Sequence, residues 1–206
     1  MNAPLTAAIL VGGRSRRMGQ DKALLPLVPD GLTVIETVVQ TLATVADEIT
    51  LVGAEVTARD YAFLGLRHVP DIVAGAGALG GIHAALTAAS HERTLIVACD
   101  MPFLNADLLR HMASMPRDDD ALVPLLGQPQ PLHAIYGRSC CPLIEANLRK
   151  GQYRVTGWFA RAALRLLPRS AIAAFDPSLH SCFNMNTPDD LAVARRIANG
   201  IGHDPT

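Results

Sequence analysis

Two long apolar runs constrain the fold of this chain more than any other feature. The first run covers Thr6–Val11 and is followed by Gly12 and Gly13. The second run covers Thr94–Cys99 and is followed by Asp100. A short apolar run without alternation is typical of a strand that is buried on both faces of a parallel sheet. Both runs therefore predict central strands, and each predicted strand ends beside residues suited to ligand binding.

Segments with helical spacing lie between the predicted strands. The last of them has the clearest start, because Thr187 can cap the helix, Pro188 suits the first turn and Asp190 completes a capping box. Strands that alternate with helices predict an α/β fold with three layers and a mainly parallel central sheet. Ligands of such sheets bind beyond the carboxyl ends of the strands. The other predicted helices are Val34–Val45, Gly81–Ala89, Asn105–Met112 and Ser139–Arg149, and the other predicted strands are Leu51–Val52, Leu66–Val69, Ala121–Val123 and Leu132–Tyr136.

Length, charge and cysteine usage narrow the class of protein. The 206 residues suit a single domain over residues 1–206, and half of them are hydrophobic. A net charge of −1 and an aromatic content of 4% disfavour a nucleic-acid partner or an anionic membrane. The four cysteines form no C-x-x-C pair, and no secretory signal is evident, so we expect reduced thiols in a cytoplasmic protein. The run Asp118–Asp120 predicts a solvated turn rather than a metal cluster.

A loop rich in glycine and arginine follows the first predicted strand. Residues 12–22 hold three arginines and Lys22, in a chain whose net charge as a whole is only −1. A P-loop has four residues between its glycines, whereas five separate Gly13 from Gly19 here, and the dinucleotide pattern G-x-G-x-x-G is also missing. Exposed backbone N–H groups and cations nevertheless predict a phosphate loop of another kind. The alternative is a solvated basic turn between a strand and a helix.

Two aspartates follow predicted strands. Asp100 suits Mg²⁺, which often takes one or two carboxylates together with waters and substrate phosphates. An N-cap or turn aspartate ahead of Pro102 is the alternative interpretation of Asp100. Asp71 could accept hydrogen bonds from the two neighbouring N–H groups on the edge of guanine, and it could equally cap the next segment or contact a ribose.

These motifs resemble one known family. The segment Leu10–Ala23 is similar to the signature loop of the molybdenum cofactor guanylyltransferases, which belong to the molybdopterin nucleotidyltransferases. Further resemblances follow in the same order, so the similarity extends over nearly the whole chain. They are Leu79–Ile82 with the second glycine loop of the family, Cys99–Phe103 with its metal-binding turn, and His133–Tyr136 and Asn184–Leu191 with its acceptor-side segments.

The resemblance implies a Rossmann-like fold of the nucleotide-diphospho-sugar transferase type. It also implies that Asn184 and Asn186 lie on the molybdopterin side of the site. Three departures are visible: Gly53 stands where the family has a nucleotide-contacting Asn, Val11 replaces a more usual Ala, and Ala78 replaces a common Pro. The residues implied to contact the nucleotide are Leu10, Val11, Gly12, Gly13, Lys22, Asp71 and Asp100, with Asp100 also binding Mg²⁺.

The implied reaction transfers GMP from GTP to the terminal phosphate of molybdopterin and releases pyrophosphate. The attacking phosphate is already anionic, so positioning and charge neutralisation should supply most of the rate, with Arg17, Lys22 and Asp100 as the catalytic residues. A cytidylyltransferase using CTP, or a transferase acting on a sugar or alcohol phosphate, is the nearest alternative. A nucleotide-binding adaptor without catalytic activity is another. Molybdoenzymes or their chaperones are the expected protein partners.

Overall fold

A single mixed sheet forms the centre of the molecule. The computed structural model describes residues 3–12, 21–55, 59–116 and 118–200. Within these ranges eight strands pair in the order β3-β2-β1-β4-β7-β5-β6, and β8 pairs with the free side of β5. The strands are β1 Leu5–Leu10, β2 Glu48–Val52, β3 Arg67–Val69, β4 Arg93–Ala98, β5 Ala121–Leu126, β6 Gln128–Pro129, β7 His133–Gly137 and β8 Leu164–Pro168.

Most of the strands run in one direction. β1 is parallel to β2 and β4, and β3 is parallel to β2. β7 lies antiparallel between β4 and β5, so that β5 and β8 run in the same direction as β4. Leu10 lies opposite Val52 on one side and Ala98 on the other, so β1, β2 and β4 end level with one another. We call this side of the sheet the carboxyl end and the opposite side the amino end. The predicted mainly parallel sheet is confirmed.

Helices cover both faces of the sheet. Ala7 and Ile9 of β1 face one layer, formed by α1, α3 and α5, whereas Ala8 and Leu10 face a second layer, formed by α2 and α4. The predicted three-layer α/β fold is thus confirmed. No helix within the described residues is both long enough and apolar enough to span a bilayer. The helices are α1 Val34–Ala43, α2 Gly77–Ala88, α3 Ala106–Ser114, α4 Cys141–Arg149, α5 Arg169–Ala173 and α6 Pro188–Ala198.

The start of α6 matches its sequence signal. The Thr187 hydroxyl accepts from the Asp190 N–H at 3.2 Å, and the Asp190 carboxylate accepts from the Thr187 N–H at 2.7 Å. These two reciprocal bonds satisfy N–H groups that the first helical turn leaves without partners. The predicted capping box at Thr187 is confirmed.

The sequence did not predict β6, α5 or β8, and it placed the start of α2 too late. α2 begins at Gly77, four residues before the predicted start. The sequence did not indicate these first turns because they are rich in glycine, which has a low helix propensity. Gly81 packs closely inside this helix, since a Cβ there would lie only 3.3 Å from the Leu10 side chain. β8 was not predicted at all. Arg165 and Pro168 interrupt its apolar pattern, as is common in a strand at the side of a sheet.

The layer that contains α4 holds the chain's one tryptophan. Trp158 is fully buried, with its ring 5.9 Å from that of Tyr136 and 5.0 Å from that of Phe159. Tyr136 pairs with Thr94 near the start of β4. Trp158 therefore packs toward the amino end of the sheet.

Candidate active site

Backbone hydrogen bonds hold the ends of four strands together at the carboxyl end of the sheet. The Val11 N–H donates to the Val52 carbonyl at 2.8 Å, and the Gly53 N–H donates to the Val69 carbonyl at 3.1 Å. The Cys99 N–H donates to the Leu10 carbonyl at 3.2 Å. The segments that leave β1, β2 and β4 therefore emerge side by side, which is where the ligands of such sheets bind.

Lys22 points back into the molecule from a short 3-10 helix, Lys22–Leu24. Its side chain is buried, with the residue 4% exposed. The ammonium donates to the carbonyl of Asn186 and lies 3.5 Å from the carbonyl of Met185. Carbonyl oxygens satisfy the N–H groups of an ammonium without cancelling its positive charge.

Asp100 also contacts this segment. Its backbone carbonyl accepts from the Met185 N–H at 3.0 Å. Burial raises the pKa of the Asp100 carboxyl, the carboxylates of Asp21 and Asp190 raise it further, and Lys22 opposes them. In the described part of the chain, neither Lys22 nor Asp100 forms an ion pair within 4.0 Å. The structure thus brings the two side chains to one place and leaves their charges available to a ligand.

The Asn184–Asn186 segment is held by its neighbours. The Asn184 amide donates to the Cys182 carbonyl at 3.2 Å, and the Asn186 N–H donates to the Asp190 carboxylate at 2.8 Å. Met185 is fully buried in a cluster with Val34 of α1 and Ala194 of α6. Asn186 is exposed, so this segment anchors Lys22 through its backbone while the Asn186 side chain faces outward.

Leu10 ends β1 and Gly12 follows it, so both lie at the carboxyl end of the sheet. Gly12 has a φ of +139°, a conformation that favours glycine. A Cβ at Gly12 would meet none of the described atoms within 4 Å. Val11 is buried, so its side chain belongs to the core and its backbone alone can meet a ligand. Gly13 and Arg17 lie outside the described residues, as do Arg14 and Arg16.

Asp71 lies beside the first turns of α2. Its Oδ1 would be 3.8 Å from a Cβ at Gly81, which in turn approaches Leu10. Asp71 as a whole residue is exposed, yet the surrounding protein still desolvates the carboxyl and raises its pKa, while His68 opposes the shift. The structure therefore places Asp71 at the carboxyl end of the sheet, on the β3 side, next to Leu10.

Gly53 explains one departure from the family pattern. A Cβ at this position would lie 1.8 Å from the Val11 carbonyl oxygen, far inside any allowed contact. With this backbone no side chain, and therefore no asparagine, can stand at residue 53. A contact between this chain and a nucleotide at that point has to come from other atoms.

Sequence reasoning missed a polar cluster beneath the site. The Tyr61 hydroxyl donates to Asp21 at 2.6 Å, and the other oxygen of Asp21 accepts from the Ala23 N–H at 3.1 Å. Burial raises the pKa of Tyr61, and it also raises the pKa of Cys99 to about 12, with further contributions from Asp100 and Asp21. Through its two hydrogen bonds, Asp21 holds the 3-10 helix that carries Lys22 against Tyr61. A buried phenol needs a hydrogen-bond partner, but nothing in the sequence indicates which one.

The comparisons with known proteins agree with this geometry. Residues 7–166 match the model of the MobA-like NTP transferase domain. The chain belongs to this family. It is 40% identical over 194 residues to a probable molybdenum cofactor guanylyltransferase of Pelotomaculum thermopropionicum, covering 94% of this chain and 93% of the relative. The predicted resemblance to molybdenum cofactor guanylyltransferases is therefore confirmed, and the chain is a nucleotidyltransferase by family.

Solved structures extend the comparison to three dimensions. The molybdopterin-guanine dinucleotide biosynthesis protein A of Archaeoglobus fulgidus superposes with a TM-score of 0.83 at 31% identity, covering 95% of this chain and 99% of that one. A 4-diphosphocytidyl-2C-methyl-D-erythritol synthase of Anaerococcus prevotii gives a TM-score of 0.69 at 14% identity, covering 96% and 97%. The second likeness concerns the fold alone, and it agrees with the predicted α/β fold.

Proposed function

We propose that this chain transfers GMP from GTP to the terminal phosphate of molybdopterin and releases pyrophosphate. One observation supports the proposal above all others: a buried lysine and a half-buried aspartate meet the same backbone segment, and neither is neutralised by an ion pair among the described residues. A reaction between two polyanions requires opposite charges that are still available when the substrates arrive. The family and the names of the relatives supply the substrates.

The nucleotide would lie over the carboxyl ends of β1 and β4. Its triphosphate would approach the open backbone at Gly12 and Gly13, and Arg17 and Lys22 would offset its negative charge. Its base would lie toward Leu10 and the backbone of Val11. Asp71 would then accept from the N–H groups of guanine, which cytosine does not offer.

Mg²⁺ fits the donors present at this site. Asp190 is engaged at the start of α6, and Asp21 is engaged by Tyr61 and Ala23. The Asp100 carboxylate has no side-chain partner among the described residues, and one carboxylate completed by waters and phosphate oxygens is a usual magnesium environment. Asp100 would hold the ion, which would offset negative charge on the phosphates when bound.

The acceptor would enter from the side of the Asn184–Asn186 segment. Asn186 is exposed there, and its backbone carbonyl holds the Lys22 ammonium. The terminal phosphate of molybdopterin is anionic at neutral pH and needs no general base. The work of the protein is then to align this phosphate with the α-phosphorus and to keep the two anions together.

Pyrophosphate release with molybdopterin and Mg²⁺ tests the proposal directly. We expect turnover with GTP, much slower turnover with CTP, and a loss of turnover when EDTA removes the metal. A preference for CTP would contradict the proposal that the nucleotide site recognises guanine. Binding of GTP without turnover in the complete mixture, unaffected by Asp100→Ala, would instead favour the adaptor alternative.

A further inference from the structure

His68 joins two parts of the carboxyl end that the proposed function places near the base. It lies in the middle of β3 and is half-buried. Its Nε2 lies 2.9 Å from the Gly53 carbonyl oxygen. A carbonyl can only accept a hydrogen bond, so Nε2 must carry the hydrogen and donate it.

The peptide that His68 contacts is tightly confined. The Gly53 N–H is bonded to the Val69 carbonyl, and the α-carbon of Gly53 stands so close to the Val11 carbonyl that a Cβ cannot fit. The His68 bond engages the Gly53 carbonyl, the remaining polar group of this residue. These bonds fix the end of β2 to β3, and Gly53 lies against Val11 after β1, next to the proposed position of the base.

The imidazole of His68 also affects the pKa of the Asp71 carboxyl. Burial raises the pKa of the Asp71 carboxyl, and His68 is the group that opposes this effect. Asp71 lies two residues beyond the end of β3, next to Gly81 of α2. One ring therefore tethers the Gly53 backbone and also opposes the effect of burial on the pKa of the Asp71 carboxyl.

We propose that His68 is a positioning residue that sets the preference of the nucleotide site for guanine, through its bond to the Gly53 carbonyl. This inference rests on the proposed use of GTP. Gly53 has no room for a side chain and so cannot itself help to position the base. The inference assigns this positioning role to His68 on the neighbouring strand β3. His68 contacts protein atoms, so its effect belongs to binding and selectivity rather than to the reacting atoms.

Three variants and two purine substrates test the inference. His68→Ala removes the bond and the ring, whereas His68→Gln keeps an amide donor that can reach the Gly53 carbonyl. His91→Ala is the matched control, since His91 is also half-buried and its Nδ1 lies 3.0 Å from the Thr6 hydroxyl at the amino end. ITP is the second substrate, because its base lacks the 2-amino group of guanine.

The expected result is a change in KM and selectivity with little change in kcat. His68→Ala should raise the KM for GTP about tenfold, as for the loss of one ordered hydrogen bond. Its preference for GTP over ITP should shrink, while kcat stays within about twofold. His68→Gln should recover most of the GTP affinity, and His91→Ala should behave like the wild type in all of these assays.

Distinct outcomes separate this inference from the proposed function. If the wild type uses GTP and His68→Ala keeps both its KM and its GTP-to-ITP preference, the inference is wrong and the proposed function stands. If His68→Gln, folded by circular dichroism, is as impaired as His68→Ala, the Gly53 tether is not the cause and the inference also fails. If the wild type uses CTP in place of GTP, the proposed function and the inference fail together.

Discussion

The two ends of the central sheet both carry buried charge, but they treat it in opposite ways. At the amino end Asp119 accepts from Arg93 at 2.8 Å and from Arg165 at 2.7 Å, and the Arg93 and Asp119 side chains are only 6% and 7% exposed. At the carboxyl end Lys22 is held by carbonyl oxygens and Asp100 has no ion-pair partner among the described residues. At the amino end the buried charges are paired with one another, whereas at the carboxyl end one positive and one negative side chain remain available to a ligand.

The paired charges at the amino end contribute to stability, whereas the unpaired charges at the carboxyl end serve ligand binding. A buried pair that is complete holds its own elements together, and removing one member leaves an uncompensated charge. An unpaired carboxylate in a desolvated position costs the fold free energy and is useful only when a cation or substrate arrives. Substitutions at the amino end should therefore affect unfolding, and substitutions at the carboxyl end should affect turnover.

Asp100→Asn should have the largest effect. The amide keeps the size of the side chain and removes the charge that would hold the metal, so turnover should fall about a thousandfold. The melting temperature should not fall, because the variant relieves the penalty of a charge that burial disfavours. Pyrophosphate release and thermal unfolding measure the two quantities. Asp107→Asn, at an exposed position of α3, is the control; turnover within tenfold of the wild type in Asp100→Asn would contradict the proposed site.

Asp119→Asn should show the reverse pattern. Arg93 would stay buried without its counter-ion, so the free energy of unfolding should fall by about 3 kcal/mol. Turnover per folded molecule should stay within about twofold. Asp118→Asn offers the matched control, since Asp118 bonds the same Arg165 but its side chain is 73% exposed, and its loss should cost less than about 1 kcal/mol in chemical denaturation. Equal losses in the two variants would remove the contrast between the ends.

Lys22→Met should reduce kcat/KM by about thirtyfold, as for the loss of one charged hydrogen bond. The Lys22 ammonium also anchors the backbone of Met185 and Asn186, so the KM values for GTP and for molybdopterin should both rise. Steady-state kinetics with each substrate varied in turn measure this effect. Lys150→Met, at the exposed end of α4, should leave both values unchanged. A rise confined to the KM for GTP would separate Lys22 from the acceptor side.

The pH dependence should show the smallest effect. Burial raises the pKa of Asp100 above its usual value of 3.8, so protons should compete with Mg²⁺ at a higher pH than for an exposed aspartate. The folded state also holds this proton more tightly than the unfolded chain. Asp100 therefore lowers stability as the pH rises through this range, and Asp100→Asn should remove that component. Magnesium titrations and melting curves between pH 4 and pH 7 test both statements, and a profile identical in Asp100→Asn would refute them.

Sequence patterns predicted the carboxyl end far better than the amino end. The rule for parallel sheets requires only that Lys22 and Asp100 follow the strands now seen as β1 and β4, and the structure does bring them together. Asp118–Asp120 was predicted to be a solvated turn, which is wrong for Asp119, because one of its partners is Arg165 of the unpredicted β8. The close approach of Gly53 to Val11 was also invisible, since no local pattern encodes the distance between two strand ends.

The position of Trp158 has a practical consequence. As the chain's one tryptophan, it gives the molecule a single dominant emitter, buried beside Tyr136 and oriented toward the start of β4 rather than its end. Its fluorescence should therefore report unfolding, and a ligand bound at the carboxyl end of the sheet should change it little. Folding and turnover can thus be followed in one unlabelled sample, by emission for the first and by product formation for the second.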